Sequence, residues 1–196
     1  MPFGALRNNT MMKIIQLILA VLLLFPLMGW AQAPQFVTTH NAGDAFVLAE
    51  QAKVAPILVD SLDYSGLLRA SLHLKEDLGK VTGNASLYTP NSIPQANKII
   101  IAGTIGKSTY IDELVKQNKI DKTVLSGKWE KYLIQTISRP FPGIDEALVI
   151  AGSDKRGTIF GIYELSRQIG VSPWYYWADV PVKKQSDLYV TRGTYT

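Results

Sequence analysis

The chain has 196 residues, 47% of them hydrophobic, with 20 basic and 16 acidic side chains, a formal net charge of +4 and no Cys. That length suits one domain with a sizeable core. Without Cys there is no disulfide and no thiolate nucleophile, so core burial alone must stabilise the fold. The small positive surplus, with no basic cluster beyond Lys183-Lys184, excludes a nucleic-acid or anionic-membrane partner as the expected one.

The chain begins as an export signal. Arg7 and Lys13 precede a run from Ile14 to Met28 that is apolar apart from Gln16, and Gly29-Trp30-Ala31-Gln32-Ala33 supplies small residues for a peptidase. Cleavage after Ala31 is expected, because cleavage after Ala33 would leave Pro34 first. A stable membrane anchor is the rival, but it needs about 20 apolar residues. This run is shorter and contains Pro26. No Cys follows it to take a lipid. Removing Arg7 and Lys13 from the 20 basic residues leaves 18 against 16 acids, a net charge of +2 for the exported part.

Strands and helices then alternate. Ala45 to Ala49 and Ile57 to Asp60 have strand character. A helix is predicted from Tyr64 to Thr82, with Leu67, Ser71, Leu74, Leu78 and Val81 on one face and Leu68 and Leu72 widening it. Gly83 suits a left-handed cap at its end. Lys98 to Ala102 reads as a buried strand, Thr109 to Gln117 as a helix, and Glu130 to Ser138 as an alternating strand. Ala147 to Ala151 reads as a further strand. It leads into an amphipathic helix, Lys155 to Ile169, built on Ile159, Ile162, Tyr163, Ser166 and Ile169 and closed by Gly170. The predicted class is α/β, a mixed central sheet flanked by helices.

Gly106-Lys107-Ser108 between a strand and a helix has the look of a phosphate loop. The spacing is wrong: the first Gly of that motif would fall on Ile101, and Gly103 is misplaced. A tight turn is the better reading. His40 and His73 stand alone, without the spacing of a zinc site or a nucleophile partner. No cofactor or metal is expected.

The run from Ala151-Gly152-Ser153-Asp154-Lys155-Arg156-Gly157 to Gly161-Ile162-Tyr163, followed by Pro173-Trp174-Tyr175-Tyr176-Trp177-Ala178-Asp179-Val180-Pro181, resembles the end of the N-terminal domain of family 115 glycoside hydrolases. Asp63 to Ala70 continuing to Gly83 is similar to that domain's first helix, and Lys98 to Ser108 with Ile111 to Leu114 is similar to its central strand and turn. These enzymes remove (4-O-methyl)glucuronic acid side chains from xylan. Related accessory domains precede barrels in several hexosaminidase and α-glucuronidase families.

The resemblance implies a domain order of 1–31 signal peptide, 32–182 accessory domain and 183–196 linker or start of a catalytic (β/α)8 barrel. It implies that the barrel follows in the same polypeptide, that glucuronoxylan is the polysaccharide partner, and that this segment is itself inactive. The alternative is a free-standing periplasmic carbohydrate-binding module.

Four residues are candidates for substrate binding. Lys155 and Arg156 could meet a uronate carboxylate, Arg as a bidentate fork and Lys as a point charge. The bland reading has Ser153 or Asp154 capping the helix, Gly157 and Gly161 letting it approach the sheet, and Phe160 and Tyr163 filling the core. Trp174 and Trp177 could stack on sugars, face another domain, or pack internally. No catalytic residue is expected in this chain. Glycosidases set two carboxylates about 5 to 9.5 Å apart, and the near pairs here are Asp60 with Asp63, Glu76 with Asp77, Asp112 with Glu113 and Asp145 with Glu146. The helical pairs read as solvated faces, and Asp60 and Asp63 as caps.

Overall fold

A computed structural model describes residues 12–16 and 34–196. Residues 12–16 are helical; the rest of the expected export signal, with its cleavage region, lies outside the described residues. Among the described residues no helix is long and apolar enough to cross a membrane. The unit from Gln35 to Thr196 is compact in itself.

Its elements in order are β1 (Val37–Thr38), β2 (Ala45–Glu50), β3 (Lys53–Val54), β4 (Ile57–Val59), α1 (Ser65–Thr82), β5 (Tyr88–Pro90), β6 (Lys98–Thr104) and α2 (Thr109–Lys116). A 3-10 turn (Lys122–Val124) precedes β7 (Tyr132–Ser138), β8 (Glu146–Gly152), α3 (Lys155–Gln168), α4 (Tyr175–Ala178), β9 (Leu188–Thr191) and β10 (Thr194–Tyr195). Six strands form the main sheet in the order β10-β7-β8-β6-β4-β5, and four form a second sheet in the order β1-β9-β2-β3. In the main sheet β5, β4, β6 and β8 run parallel, while β7 is antiparallel to both β8 and β10. The predicted mixed α/β sheet is the observed one.

Period-2 alternation explains the two cores, because successive side chains in a strand face opposite ways. Ile57, Val59, Ile100, Ala102, Ile134, Leu148 and Ile150 point to α1, α3 and the second sheet. Leu58, Ile99, Ile101, Leu133, Val149 and Ala151 point to α2 and its neighbouring loops. Every residue of β8 is buried, which is why this central strand reads as one apolar run rather than an alternation. Each of its large side chains contributes roughly 1.5–3 kcal/mol through burial.

Helix α1 buries Leu67, Ser71, Leu74, Leu78 and Val81 as predicted, and Gly83 ends it at φ 75°. Leu72, expected to widen that face, is exposed, and Tyr64 precedes the helix as its N-cap. The larger correction concerns α3. Phe160 and Tyr163 were expected in the core and are 41% and 43% exposed. The helix instead buries Gly157, Thr158, Gly161, Ile162, Leu165 and Ser166. Its two glycines allow the backbone so near the sheet that the small residues, not the aromatic ones, take the inner side.

The predicted linker over 183–196 is also corrected. Its strands close both sheets, β9 lying between β1 and β2, and β10 pairing with β7. Arg192, in the turn between them, binds Glu146 and Asp44 and ties this last segment to the starts of β8 and β2. The short strands β1, β3 and β5 carry too few residues for a periodic signal, so only pairing defines them.

Candidate functional site

The C-terminal edge of the parallel strands collects the loops after β4, β6 and β8, the usual place for a ligand in an open α/β sheet. After β4, Asp60 and Asp63 are both buried. Asp60 accepts from Leu62 N at 2.9 Å, Thr109 N at 2.8 Å and Thr109 Oγ1 at 2.7 Å. Asp63 accepts from Tyr64 N and Thr104 N, both at 2.7 Å. Burial raises the Asp60 carboxyl, but its three hydrogen bonds outweigh that and hold it below its ordinary value. Burial pushes Asp63 above its ordinary value, and its hydrogen bonds offset this only in part.

Two carboxylates with opposed shifts resemble an acid–base pair. Their surroundings say otherwise, since all four oxygens already accept bonds from backbone or Thr109 inside the fold. The expectation of caps is refined: Asp60 secures the first turn of α2, and Asp63 pins the end of β6. They are fastenings between neighbouring loops.

After β8 the chain is equally constrained. A Cβ on Gly152 would stand 2.1 Å from Thr158 Oγ1, and one on Gly157 would stand 2.3 Å from Lys131 O. Asp154 caps α3 by accepting from Gly157 N at 2.8 Å, and its other oxygen accepts from Glu130 N at 2.8 Å. Burial raises the Asp154 carboxyl; the N–H groups of Glu130, Gly157 and Arg156 and the Arg156 charge outweigh it, and the net shift is downward. Ser153 does not cap the helix. It clasps Lys131 instead, Oγ accepting from Lys131 N and Ser153 N donating to Lys131 O.

Beside this turn lies an open groove of about 500 Å³ lined by Tyr64, Lys128, Trp129, Glu130, Asp154, Lys155 and Arg156. Trp129 is 88% exposed. Arg156 pairs with Glu130 at 2.9 Å and stands over the Phe160 ring, 5.6 Å from its centre. Lys107 lies over the Tyr64 ring at 5.5 Å. The ion pairs among the described residues use neither Lys128 nor Lys155. The groove therefore offers aromatic faces with uncommitted cations, a chemistry suited to sugars or to an acidic protein surface.

The four predicted contact residues are not brought together. Lys155 and Arg156 stand at the N-terminus of α3, while Trp174 and Trp177 follow its C-terminus, about 21 Å away along 14 residues of helix. Trp177 is 85% exposed and Trp174 is also exposed. Tyr175 is half-buried against the first core, with Lys80 Nζ 4.8 Å from its ring centre. The Tyr176 side chain lies outside the described residues.

Tyr64, Lys128 and Trp129 were missed from sequence. The signal available was Gly127-Lys128-Trp129-Glu130, an aromatic between charges in a turn. Among the described residues no cluster of three or more His, Asp or Glu is placed to hold a metal.

No family model matches the chain, and no curated protein does. A solved structure does match. BtGH115A, a family GH115 4-O-methyl-α-glucuronidase with specificity for decorated arabinogalactans, aligns with a TM-score of 0.58 and 30% identity over 76% of this chain. The chain resembles one domain-sized part of a GH115 α-glucuronidase. It spans only 18% of that protein's length. CpGH84D gives a TM-score of 0.46 at 10% identity, over 83% of this chain and 24% of its own, below the level at which a shared fold is argued. The relationship to glycoside hydrolases thus covers the α/β domain and leaves most of the larger enzyme unmatched.

Proposed function

We propose that this chain is the N-terminal accessory domain of a secreted glycoside hydrolase that removes glucuronic acid side chains from xylan. The reading rests chiefly on the 30% identity to a GH115 α-glucuronidase over 76% of this chain and 18% of that one. The cleaved export signal predicted over 1–31 carries the protein out of the cytoplasm. A catalytic barrel following in the same polypeptide supplies the carboxylates, and this domain packs on it and shapes the rim of the cleft.

Lys155 stands at that rim to meet a uronate carboxylate, Arg156 beside it being held by Glu130, and Trp174 and Trp177 offer stacking faces to the polymer. By itself the domain is inactive, in keeping with Asp60, Asp63 and Asp154 being engaged with backbone N–H groups.

The test is release of 4-O-methylglucuronic acid from glucuronoxylan by this chain and by one extended through the next domain. Release by the extended form alone is expected. Release by the short chain would overturn the reading and return Asp60, Asp63 and Asp154 as catalytic candidates.

The exposed Trp129, Trp174 and Trp177 favour a second reading, a free-standing carbohydrate-binding module. Retention of the short chain on immobilised xylan, with Trp177→Ala eluting early, would support it over the first.

A further inference from the structure

The outer side of α3 is more apolar than its own domain requires. Phe160 and Tyr163, three residues apart, share one face of the helix, and each leaves two-fifths of its surface open although Ile162 and Leu165 already fill the inner side. Arg156 joins them to the head of the helix: its guanidinium covers Phe160 and holds Glu130, next to the exposed Trp129. Tyr163 Oη contacts His73 Nδ1 at 2.8 Å, which fixes the ring against α1. Large rings arranged in one strip, ordered by polar contacts and rimmed by Lys128, Lys155 and Arg156, have the composition of an interface core and rim.

The path of the chain says what lies on that side. In β10, Thr194 pairs with Gln135 and Tyr195 with Ile134, so the strand runs toward Tyr132. Tyr132 in turn pairs with Gly152, the residue that leads into Asp154 and α3. Any polypeptide continuing beyond Thr196 leaves the domain at the C-terminal edge of the parallel strands, beside the Trp129 groove. The Trp174–Trp177 patch is at the far end of α3. The similar solved chain is much the longer of the two, only 18% of it being matched.

We infer that the strip formed by Trp129, Arg156, Phe160 and Tyr163 is the docking face for the domain that follows Thr196 in the full-length protein. The docking surface of that domain is apolar with acidic residues at its rim, to match Lys128 and Arg156. The inference rests on the reading of this chain as an accessory domain and adds to it the face that is covered. It also leaves Trp174 and Trp177 open to solvent in the assembled enzyme.

Hydroxyl-radical footprinting of the full-length protein beside this chain tests it, since ring oxidation follows exposure. Trp129, Phe160 and Tyr163 should be oxidised readily in the short chain and, in the long one, fall to the level of the fully buried Phe46. Trp177 should stay reactive in both. Protection of Trp174 and Trp177 with Phe160 still reactive would overturn the inference, as would an unchanged pattern or a gene that stops after Thr196.

A double variant, Phe160→Asp with Tyr163→Asp, gives an independent check. It should cost the short chain part of its stability while leaving it to unfold in a single transition, and split the unfolding of the long one into two. Glucuronic acid release by the long protein separates the two claims. Release with an unprotected α3 strip sinks only the docking face, whereas a protected strip without release sinks only the proposed substrate.

Discussion

The turns after β6 and β8 are near copies in design and differ in what surrounds them. Each places a glycine where a side chain would collide with the following turn, Gly103 against Ser108 and Gly152 against Thr158. Each caps the next helix, with Ser108 Oγ accepting from Ile111 N at 3.5 Å and Asp154 from Gly157 N at 2.8 Å. Around the first turn the donors are taken from within the fold: Gly106 N by Asp112, Thr109 N by Asp60 and Thr104 N by Asp63, and Ile105 N, Lys107 N and Ser108 N by backbone carbonyls. The second opens on the Trp129 groove. A glycine-rich turn before a helix is therefore poor evidence for an anion site, because the N–H groups that would bind phosphate can be satisfied from within.

The largest effect should come from filling the second turn. Gly152→Val puts carbon against the Thr158 backbone, with no flexible group to give way, and should cost ~3 kcal/mol or more, the upper end of what overpacking costs. Urea unfolding would measure it, and a near-native midpoint would show the two turns to be less rigid than drawn.

Asp60→Ala comes next, at about 2–3 kcal/mol, since it strips a charged acceptor from Leu62 N and both Thr109 donors. The sign of its pH dependence follows from its lowered folded-state value. Its contribution is present above the unfolded value and lost as pH falls through the folded one. Wild-type protein should thus lose part of its advantage over Asp60→Ala in acid. Asp63, raised by burial, works the other way, costing stability as pH rises from its unfolded to its folded value.

The two caps sharpen the contrast at smaller scale. Asp154→Ala should cost ~1–2 kcal/mol, and Ser108→Ala ~0.5–1 kcal/mol because its bond is long. Thermal melts should keep that order. Smallest of all, Lys155→Ala and Trp177→Ala should change the stability of this chain by less than ~0.5 kcal/mol, as both residues are exposed. Millimolar phosphate should leave the melting temperature of the wild type where it is; a rise would mean that one of the helix N-termini is less filled than the hydrogen bonds show.

Where apolar residues recur at a clear period, the fold was legible. Lys98 to Ala102 and Ala147 to Ala151 declare buried strands, and the Leu67–Val81 face declares α1, because burial on one side or both is written directly into spacing. Period fails where backbone approach decides. In α3 the same apolar spacing fits an inner face with Tyr163 or without it, and the closeness permitted by Gly157 and Gly161 selects the second. The site was legible only in part. Lys155 and Arg156 stood out by charge, whereas Trp129 reaches them from 26 residues earlier in the chain through the Glu130–Asp154 and Glu130–Arg156 contacts.

The sequence by itself determined the α/β class, the main helices and buried strands, the absence of a phosphate-loop spacing, and a resemblance carried by ordered motifs. Those are properties of local pattern, in which each residue answers to near neighbours. Only the tertiary structure decided that 183–196 completes both sheets, that Asp60 and Asp63 are occupied by backbone donors, and that Phe160 and Tyr163 face outward. Each depends on pairing or proximity between distant segments, and no local periodicity encodes which strand edge, donor or glycine will be opposite.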